Sequence, residues 1–394
     1  MTINLKNVIP RIRLNFFFMG VLLGAWSTRI PELKTALDMS DQTLGKVLIG
    51  SACGALVSTR IIGKMIRELG TKKVFNLGTV VFPVGYFFIA LSPNTFGVFI
   101  GLVFFVIGYF FLDNPLTIIT QEIEAQSDRK YLSGFHAFWS IGTLSAAFFG
   151  SFLIGRVDYS LHLAGVAVLS FIVLFISGRA LESKKPDNEN IEKAPLPWIG
   201  PLGFAVIVAG LGMLASNSAE FGATDWSAIF LRDVLSITGQ LYVGAYMAFE
   251  AGMILSRLLG DKYIHRYGPQ KVIRVCGYFG SFLWLSCMLL SVNLNSSSKP
   301  ISYVVILVGY FCAGCGVGPL FPAFLTYLGN VPGIEMGVAL SRALFIALLG
   351  FAVVPALIGT ISDATSLTFG MLLPIALLAV AGFISRFVRS EAKL

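Results

Sequence analysis

Twelve apolar stretches divide this chain of 394 residues, and they constrain its fold more than any other feature. They run Leu14–Thr28, Val47–Ile62, Val74–Ser92, Phe96–Thr120, Leu132–Ile154 and Leu161–Gly178, then Trp198–Ala219, Leu241–Leu259, Val275–Val292, Ile301–Leu328, Met336–Ile361 and Leu367–Ile384. A helix needs roughly 20 apolar residues to cross the hydrocarbon core of a bilayer. Lipid cannot satisfy a bare peptide group, so each stretch must close its own hydrogen bonds as an α-helix. The chain reads as an all-α membrane protein with 12 transmembrane helices in two six-helix pseudo-repeats.

The two sets of six are copies of one another. Sliding the sequence by 198 positions superimposes Gly54 on Gly252, Ser58 on Ser256, Lys64 on Lys262, Ile66 on Ile264, Gly70 on Gly268, Lys73 on Lys271 and Val74 on Val272. The match centres on a short basic turn between two apolar runs, and the shift is half the chain. That pattern predicts two six-helix bundles, 1–178 and 198–394. Between them lies a linker, 179–197, whose Lys184, Lys185, Pro186, Asp187, Asn188, Glu189, Pro195 and Pro197 discourage regular structure.

Composition agrees. Hydrophobic residues make up 56% of the chain and charged ones 13%, about half the charge of a soluble domain. The formal net charge of +8 does not point to nucleic acid, because the basic residues sit in short loops between spans. Twenty lysines and arginines fall on the side of both termini, including Lys6, Arg11, Arg13, Lys64, Arg67, Lys72, Lys73, Arg129 and Lys130. Five fall on the other: Arg29, Lys34, Arg156, Arg232 and Lys299. The positive-inside rule then puts both termini and the linker in the cytoplasm of a bacterial inner membrane. The first apolar run follows Arg11 and Arg13 like a signal peptide but lacks a small-residue cleavage site, so it is read as a retained helix.

Small residues at i, i+4 in Gly20/Gly24, Gly50/Gly54 and Gly97/Gly101 predict close helix contacts. Pro83, Pro115, Pro319, Pro322, Pro355 and Pro374 are expected to bend or break their helices. Cys312 and Cys315 form a C-x-x-C string inside a span with no second pair, which suits helix packing better than zinc or redox chemistry.

This arrangement resembles the major facilitator superfamily of secondary transporters, whose basic turn follows the pattern G-x-x-x-D-R-x-G-R-R. The first copy keeps Gly63 and Gly70, places Arg67 where the family has Asp and Glu68 where it has Arg, and carries Lys72 and Lys73 one position late. The second copy fills the slots with Asp261, His265, Arg266 and Gly268. The resemblance implies that these residues latch the cytoplasmic face, with Arg257 and Asp261 at i, i+4 as a salt bridge in that latch. Three further stretches are similar to a subgroup of bacterial transporters related to MosC and YbjJ, and more distantly to fucose/proton symporters. They are Trp26-Ser-Thr-Arg-Ile-Pro31, Ser133-Gly-Phe-His-Ala-Phe-Trp-Ser-Ile-Gly142 and Asp225-Trp-Ser-Ala-Ile-Phe-Leu-Arg-Asp233. That likeness implies a sugar or sugar-like solute moved with protons, and it makes Asp113 the nearest match to a fourth-helix coupling carboxylate.

An ionisable side chain inside a span is costly and so is a functional candidate. Asp113 lies deep in the fourth span beside Asn114 and Pro115, where it suits a proton or a solute hydroxyl; an interhelical hydrogen bond is the plainer alternative. Ser133, His136, Ser140 and Thr143 fall at i, i+3, i+7 and i+10, one polar stripe that either faces a cavity or packs on a neighbouring helix. Trp139 beside it could stack on a sugar ring. Asn217, Glu220, Thr224 and Ser227 repeat that spacing in the seventh span, with Asp225 and Trp226 near its outer end, provided the helix continues past Glu220. Glu250 lies deep in the eighth span, and Arg342 in the eleventh is its candidate partner or an anion ligand.

No catalytic constellation, metal-ligand cluster or cofactor motif is visible, so an enzyme is not expected. The expected protein is a monomer working by alternating access, with the solute near mid-membrane between the halves. Partners are a small solute, protons and lipid. The alternatives are an exporter of amphipathic compounds, since 34 Phe residues could line an apolar pocket, and a transporter-like receptor that does not translocate.

Overall fold

The computed structural model describes residues 5–125, 131–179, 181, 200–334 and 336–388. Apart from Arg179 and Leu181, the linker at 179–197 lies outside the described residues, as do Arg129 and Lys130. Regular structure among the described residues is helical. In chain order the α-helices are α1 (Leu5–Ala36), α2 (Asp41–Leu69), α3 (Thr71–Leu91), α4 (Thr95–Ala125), α5 (Leu132–Ser151), α6 (Tyr159–Gly178) and α7 (Pro201–Ile229). There follow α8 (Gly244–Tyr267), α9 (Pro269–Leu294), α10 (Lys299–Val317), α11 (Leu320–Gly329), α12 (Met336–Ala364), α13 (Leu367–Gly370) and α14 (Leu372–Ile384).

These helices occupy the predicted spans, and the protein is an all-α, multi-pass membrane protein. Ten segments among the described residues are long and apolar enough to cross a bilayer. The remaining two spans, α5 and α8, are less apolar because one carries His136, Ser140 and Thr143 and the other Glu250 and Arg257. The tenth predicted span is broken into α10 and α11 at Gly318-Pro319, where proline supplies no amide hydrogen. By contrast Pro83, Pro115 and Pro355 sit inside continuous helices.

Two boundaries differ from the sequence reading. Helix α1 runs on past Thr28 to Ala36, so Arg29 is not a loop residue: it is fully buried. Glu32 compensates its charge and His162 accepts a hydrogen bond from it, and a charge that is paired need not end a span. Helix α7 continues past Glu220 to Ile229 and then widens into a π-turn over Phe230–Val234.

The chain divides into two compact units, Met1–Met39 with Lys46–Glu189, and Ser40–Gly45 with Asn190–Leu394. In unit 1, α1 packs on α5 and α6, and α3 on α4 and α6. The α1–α5 seam is backbone against backbone. A methyl at Gly20 would overlap the Trp139 carbonyl, one at Gly24 the Thr143 carbonyl, and one at Gly142 the Phe17 carbonyl. Gly54 likewise faces the Val103 carbonyl and Gly101 the backbone of Ile89 and Gly85. Gly97 behaves differently: it touches the Ser92 side chain in the turn before α4.

In unit 2, α7 packs on α12 and α14, and α10 on α8 and α9. Gly252 meets the Phe311 carbonyl and Gly314 the Phe249 carbonyl, and Cys315 lies in this same contact, as the packing reading of C-x-x-C requires. All five cysteines are free thiols. The first turn of α2, which belongs to this unit, presents open amides to Asp363 on α12: the carboxylate accepts from Asp41 N–H at 3.0 Å and Gln42 N–H at 3.1 Å.

The repeat is visible in backbone geometry. Gly70 between α2 and α3 has φ 84° and ψ 160°, and Gly268 between α8 and α9 has φ 77° and ψ 156°. Only glycine reaches positive φ without strain, so each basic turn is fixed by the glycine at its centre.

Candidate functional site

One group of ionisable residues inside the spans lies in unit 2, on α7 and α8. Because α7 runs unbroken through Glu220, the polar positions Asn217, Glu220, Thr224 and Ser227 do share one face at the predicted spacing. Asn217, Glu220 and Thr224 are half-buried and Ser227 is fully buried. Arg257 on α8 donates from Nη2 to Glu220 Oε1 at 3.4 Å, with the side chains 37% and 21% exposed. Arg257 thus spans to α7. A carboxylate in the apolar slab needs a counter-charge more than an exposed turn does. The side chain of Asp261, its expected partner, lies outside the description.

Glu250 sits seven residues before Arg257 on α8, two turns along the same face or about 10.5 Å. It is 2% exposed, and its Oε2 atom has no hydrogen-bond partner among the described residues. Glu220 and Arg257 are the charges it feels. Arg342, on α12, is half-buried. Asp225 is half-buried, while Trp226 is fully buried in the packed interior of the unit, not at an open outer end.

Unit 1 holds Asp113 and Asn114 half-buried on α4. Asn114 Nδ2 donates to the Phe110 carbonyl one turn back at 3.1 Å, which satisfies it locally. Asp113 Oδ1 is buried without a hydrogen-bond partner among the described residues. The α5 stripe does not lie on one open face. Ser140 and Thr143 are buried, Thr143 bonds back to the Trp139 carbonyl at 3.0 Å, and its backbone forms the seam with α1. His136 is exposed, with its ring edge-on to Phe16 of α1 at 5.0 Å. Trp139 is half-buried, and the Ser133 side chain is undescribed.

One constellation escaped the sequence reading. Arg29 Nε donates to His162 Nδ1 at 2.9 Å, and Nη1 pairs with Glu32. A histidine accepting on Nδ1 is neutral, with its proton on Nε2. Arg29 also lies in the electrostatic neighbourhood of Tyr86, whose hydroxyl donates to the Leu22 carbonyl at 2.7 Å, and of Asp158. The cluster ties α1 to α6. The i, i+3 spacing of Arg29 and Glu32 was a usable signal that the helix continues.

The basic turns are surface structures. Gly63, Arg67 and Glu68 are exposed, and Glu68 pairs loosely with Lys64 at 3.8 Å. Arg266 and Lys271 both lie over the Tyr267 ring, at 5.3 and 5.0 Å from its centroid. Lys72 donates to the Arg179 carbonyl at 3.0 Å. Among the described residues no group of His, Cys, Asp and Glu could hold a metal ion.

Comparison with known proteins gives a family match. Residues 14–340 fit the family model described as Major Facilitator Superfamily. The membrane protein MosC of Rhizobium meliloti is 25% identical over 390 residues, covering 97% of this chain and 90% of its own length. Multidrug resistance protein 1 of Bacillus subtilis (strain 168) is 24% identical over 348 residues, covering 85% of this chain and 84% of its own. A glucose/galactose transporter of Brucella abortus (strain 2308) is 24% identical over 399 residues, covering 95% and 92%. Among solved structures, the nucleoside transporter NupG superimposes with a TM-score of 0.78 at 13% identity, over 98% of this chain and 100% of that one.

Proposed function

The chain belongs to the Major Facilitator Superfamily and is a transporter, not an enzyme, and from that premise we propose that it moves a small polar solute, a sugar or sugar-like compound, by proton-coupled alternating access. The observation that carries the reading is the set of ionisable side chains held inside apolar helices: Glu220, Glu250 and Arg257 in unit 2 and Asp113 in unit 1. Each is costly to keep in a membrane, and together they suit a solute with hydroxyl groups and an exchangeable proton. Asn217, Arg342 and Trp139, all half-buried, are the candidate solute contacts. The whole-length relative named as a glucose/galactose transporter supports the solute class. Both termini lie in the cytoplasm on the bias of basic residues, twenty against four once the buried Arg29 is set aside.

A second reading has its own support in the relative named as a multidrug resistance protein. An exporter would take amphipathic cations, which need a carboxylate and aromatic rings more than hydrogen-bonding polar groups. The experiment that separates the two is a thermal-shift panel on the purified full chain with hexoses, polyols, organic anions and lipophilic cations. Stabilisation by one hexose or polyol alone supports the polar-solute reading. Stabilisation by lipophilic cations alone replaces it with the exporter, and saturable binding without vesicle flux replaces both with a receptor.

A further inference from the structure

We propose that the end of unit 2 that carries the second basic turn is a docking site for the phosphodiester headgroup of an anionic phospholipid, held by Arg266, Lys271, Arg274 and Arg386. The proposal stands whatever the solute is and whether or not protons drive it.

A close helix crossing sets the site. A methyl at Gly277 on α9 would overlap the backbone of Gly382 on α14. That contact brings the neighbouring turns into register. Arg274 Nε donates to Ser385 Oγ at 3.4 Å, and Gln270 Nε2 donates to the Ser385 carbonyl at 3.2 Å. Arg386, the next residue, lies over the Phe383 ring at 4.9 Å. Lys271 stands at i, i+3 to Arg274, so the two are neighbours on one face of α9. It also shares the Tyr267 ring with Arg266. All four cations are exposed, and none of them has an ion pair among the described residues.

Two like charges on one ring gain from its face but repel each other. A phosphate between them removes the repulsion, and arginine offers it a fork of N–H donors. Below the cations, Val275, Phe279 and Phe282 continue the Lys271 face of α9 at i+4, i+8 and i+11, and all three are exposed. A headgroup on the cations with an acyl chain along this stripe is the shape of a phospholipid, and basic pockets between helices on this side of a membrane suit anionic headgroups. Free phosphate would use the cations alone.

The repeat supplies the contrast. Positions 63–76 and 261–274, which superimpose under the 198 shift, each hold four lysines and arginines and one acid. The first copy keeps its acid at the turn, where Glu68 faces Lys64 at 3.8 Å. The second has Arg266 at that position and its acid at Asp261, more than a turn earlier in α8. It also has Tyr267 where the first has Leu69. The number of bases that sets topology is therefore the same in both. What differs is that the second turn frees its cations and puts a ring between two of them.

The test is native mass spectrometry of the delipidated full chain titrated with an equal mixture of phosphatidylglycerol and phosphatidylcholine. Each cation beside an anionic headgroup is worth roughly a five-fold change in binding, so wild type should prefer phosphatidylglycerol by about tenfold or more. Lys271→Gln with Arg274→Gln should remove the preference. Arg266→Glu with Tyr267→Leu, which restores the pattern of the first turn, should reduce it several-fold. Lys64→Gln with Lys73→Gln, in the first turn, should leave it unchanged. Equal binding of the two lipids, or a preference that survives Lys271→Gln with Arg274→Gln, overturns the site. A preference lost equally in the first-turn variant also overturns it, because the attraction would then belong to basic charge in general. Inorganic phosphate that displaces phosphatidylglycerol completely would replace the lipid site with a free-anion site. Should Lys271→Gln with Arg274→Gln not fold, Arg266→Glu with Tyr267→Leu decides alone.

Discussion

Arg257 on α8 reaches across to Glu220 on α7 at 3.4 Å, joining two helices at residues 37 positions apart in sequence. The contact is a charged bond between helices whose outer faces are apolar. Its side chains are about one-third and one-fifth exposed, so it lies between a surface pair, worth under about 1 kcal/mol, and a buried one, whose disruption costs about 3–5 kcal/mol. Arg257→Met should therefore destabilise the protein by ~1–2 kcal/mol, read as a lower melting temperature in detergent. The double variant Arg257→Met with Glu220→Met should recover most of that loss while transport stays blocked. Equal melting temperatures for the single and double variants would show that the pair adds no strain when broken.

The two basic turns make a separate prediction. Alanine at Gly268, where φ is 77° and ψ 156°, meets no atom within 4 Å, so its cost is conformational alone, about 1–3 kcal/mol. Gly70→Ala, at φ 84°, should behave alike. Gly63→Ala is the control, since that glycine is helical and meets only the Arg67 guanidinium at 3.5 Å. Thermal melts that rank all three variants together would contradict the conformational argument.

The α1–α5 seam should tolerate no side chain at its glycines. Gly24→Ala drives a methyl into the Thr143 carbonyl, and overpacking of this kind costs about 1–3 kcal/mol. Gly165→Ala on α6, with nothing within 4 Å, should be neutral or slightly stabilising. Yield of monodisperse protein on size-exclusion chromatography is the measurement, and equal yields would remove the seam as a packing determinant.

At the start of α6, Asp158 caps the helix. Its Oδ1 accepts from the Ser160 hydroxyl at 2.6 Å and the Ser160 N–H at 2.8 Å, and these bonds hold its carboxyl below the ordinary carboxylate range. A folded-state value below the unfolded one gives stability that is full above the unfolded pKa, about 3.9, and is lost as pH falls through the folded value. Asp158→Ala should thus lower the melting temperature at pH 7, and the difference from wild type should narrow as pH falls through the folded-state value. A constant difference at every pH would exclude the carboxylate as the source. At neutral pH the whole cap is worth about 0.5–2 kcal/mol for such residues.

Much of this fold was legible in the sequence because the bilayer imposes a simple rule. Apolar length locates the spans, and the recurrence of Gly70 as Gly268 exposes the repeat. The helix-contact role of Gly20 and Gly24 followed from residue size alone. Pairings were less legible. Arg29 read as the end of a span because a lone arginine in lipid is costly, and only the fold brings His162, 133 residues away, against it. Spacing on one helix offered Arg257 only Asp261 at i, i+4, and the tertiary contact with Glu220 on α7 had no sequence signal. The α5 stripe had the right period, but period cannot say whether a polar face meets a cavity or a glycine seam, and Thr143 meets the seam.

The central claim, proton-driven movement of a polar solute, is tested most directly by transport in reconstituted vesicles. The full chain would be placed in phosphatidylethanolamine/phosphatidylglycerol vesicles, an inward proton gradient imposed, and uptake of labelled hexoses and polyols followed against a tetraphenylphosphonium control. The account predicts that at least one hexose or polyol accumulates above its outside concentration and that a protonophore abolishes the accumulation. Movement of tetraphenylphosphonium with no hexose or polyol accumulated would contradict it.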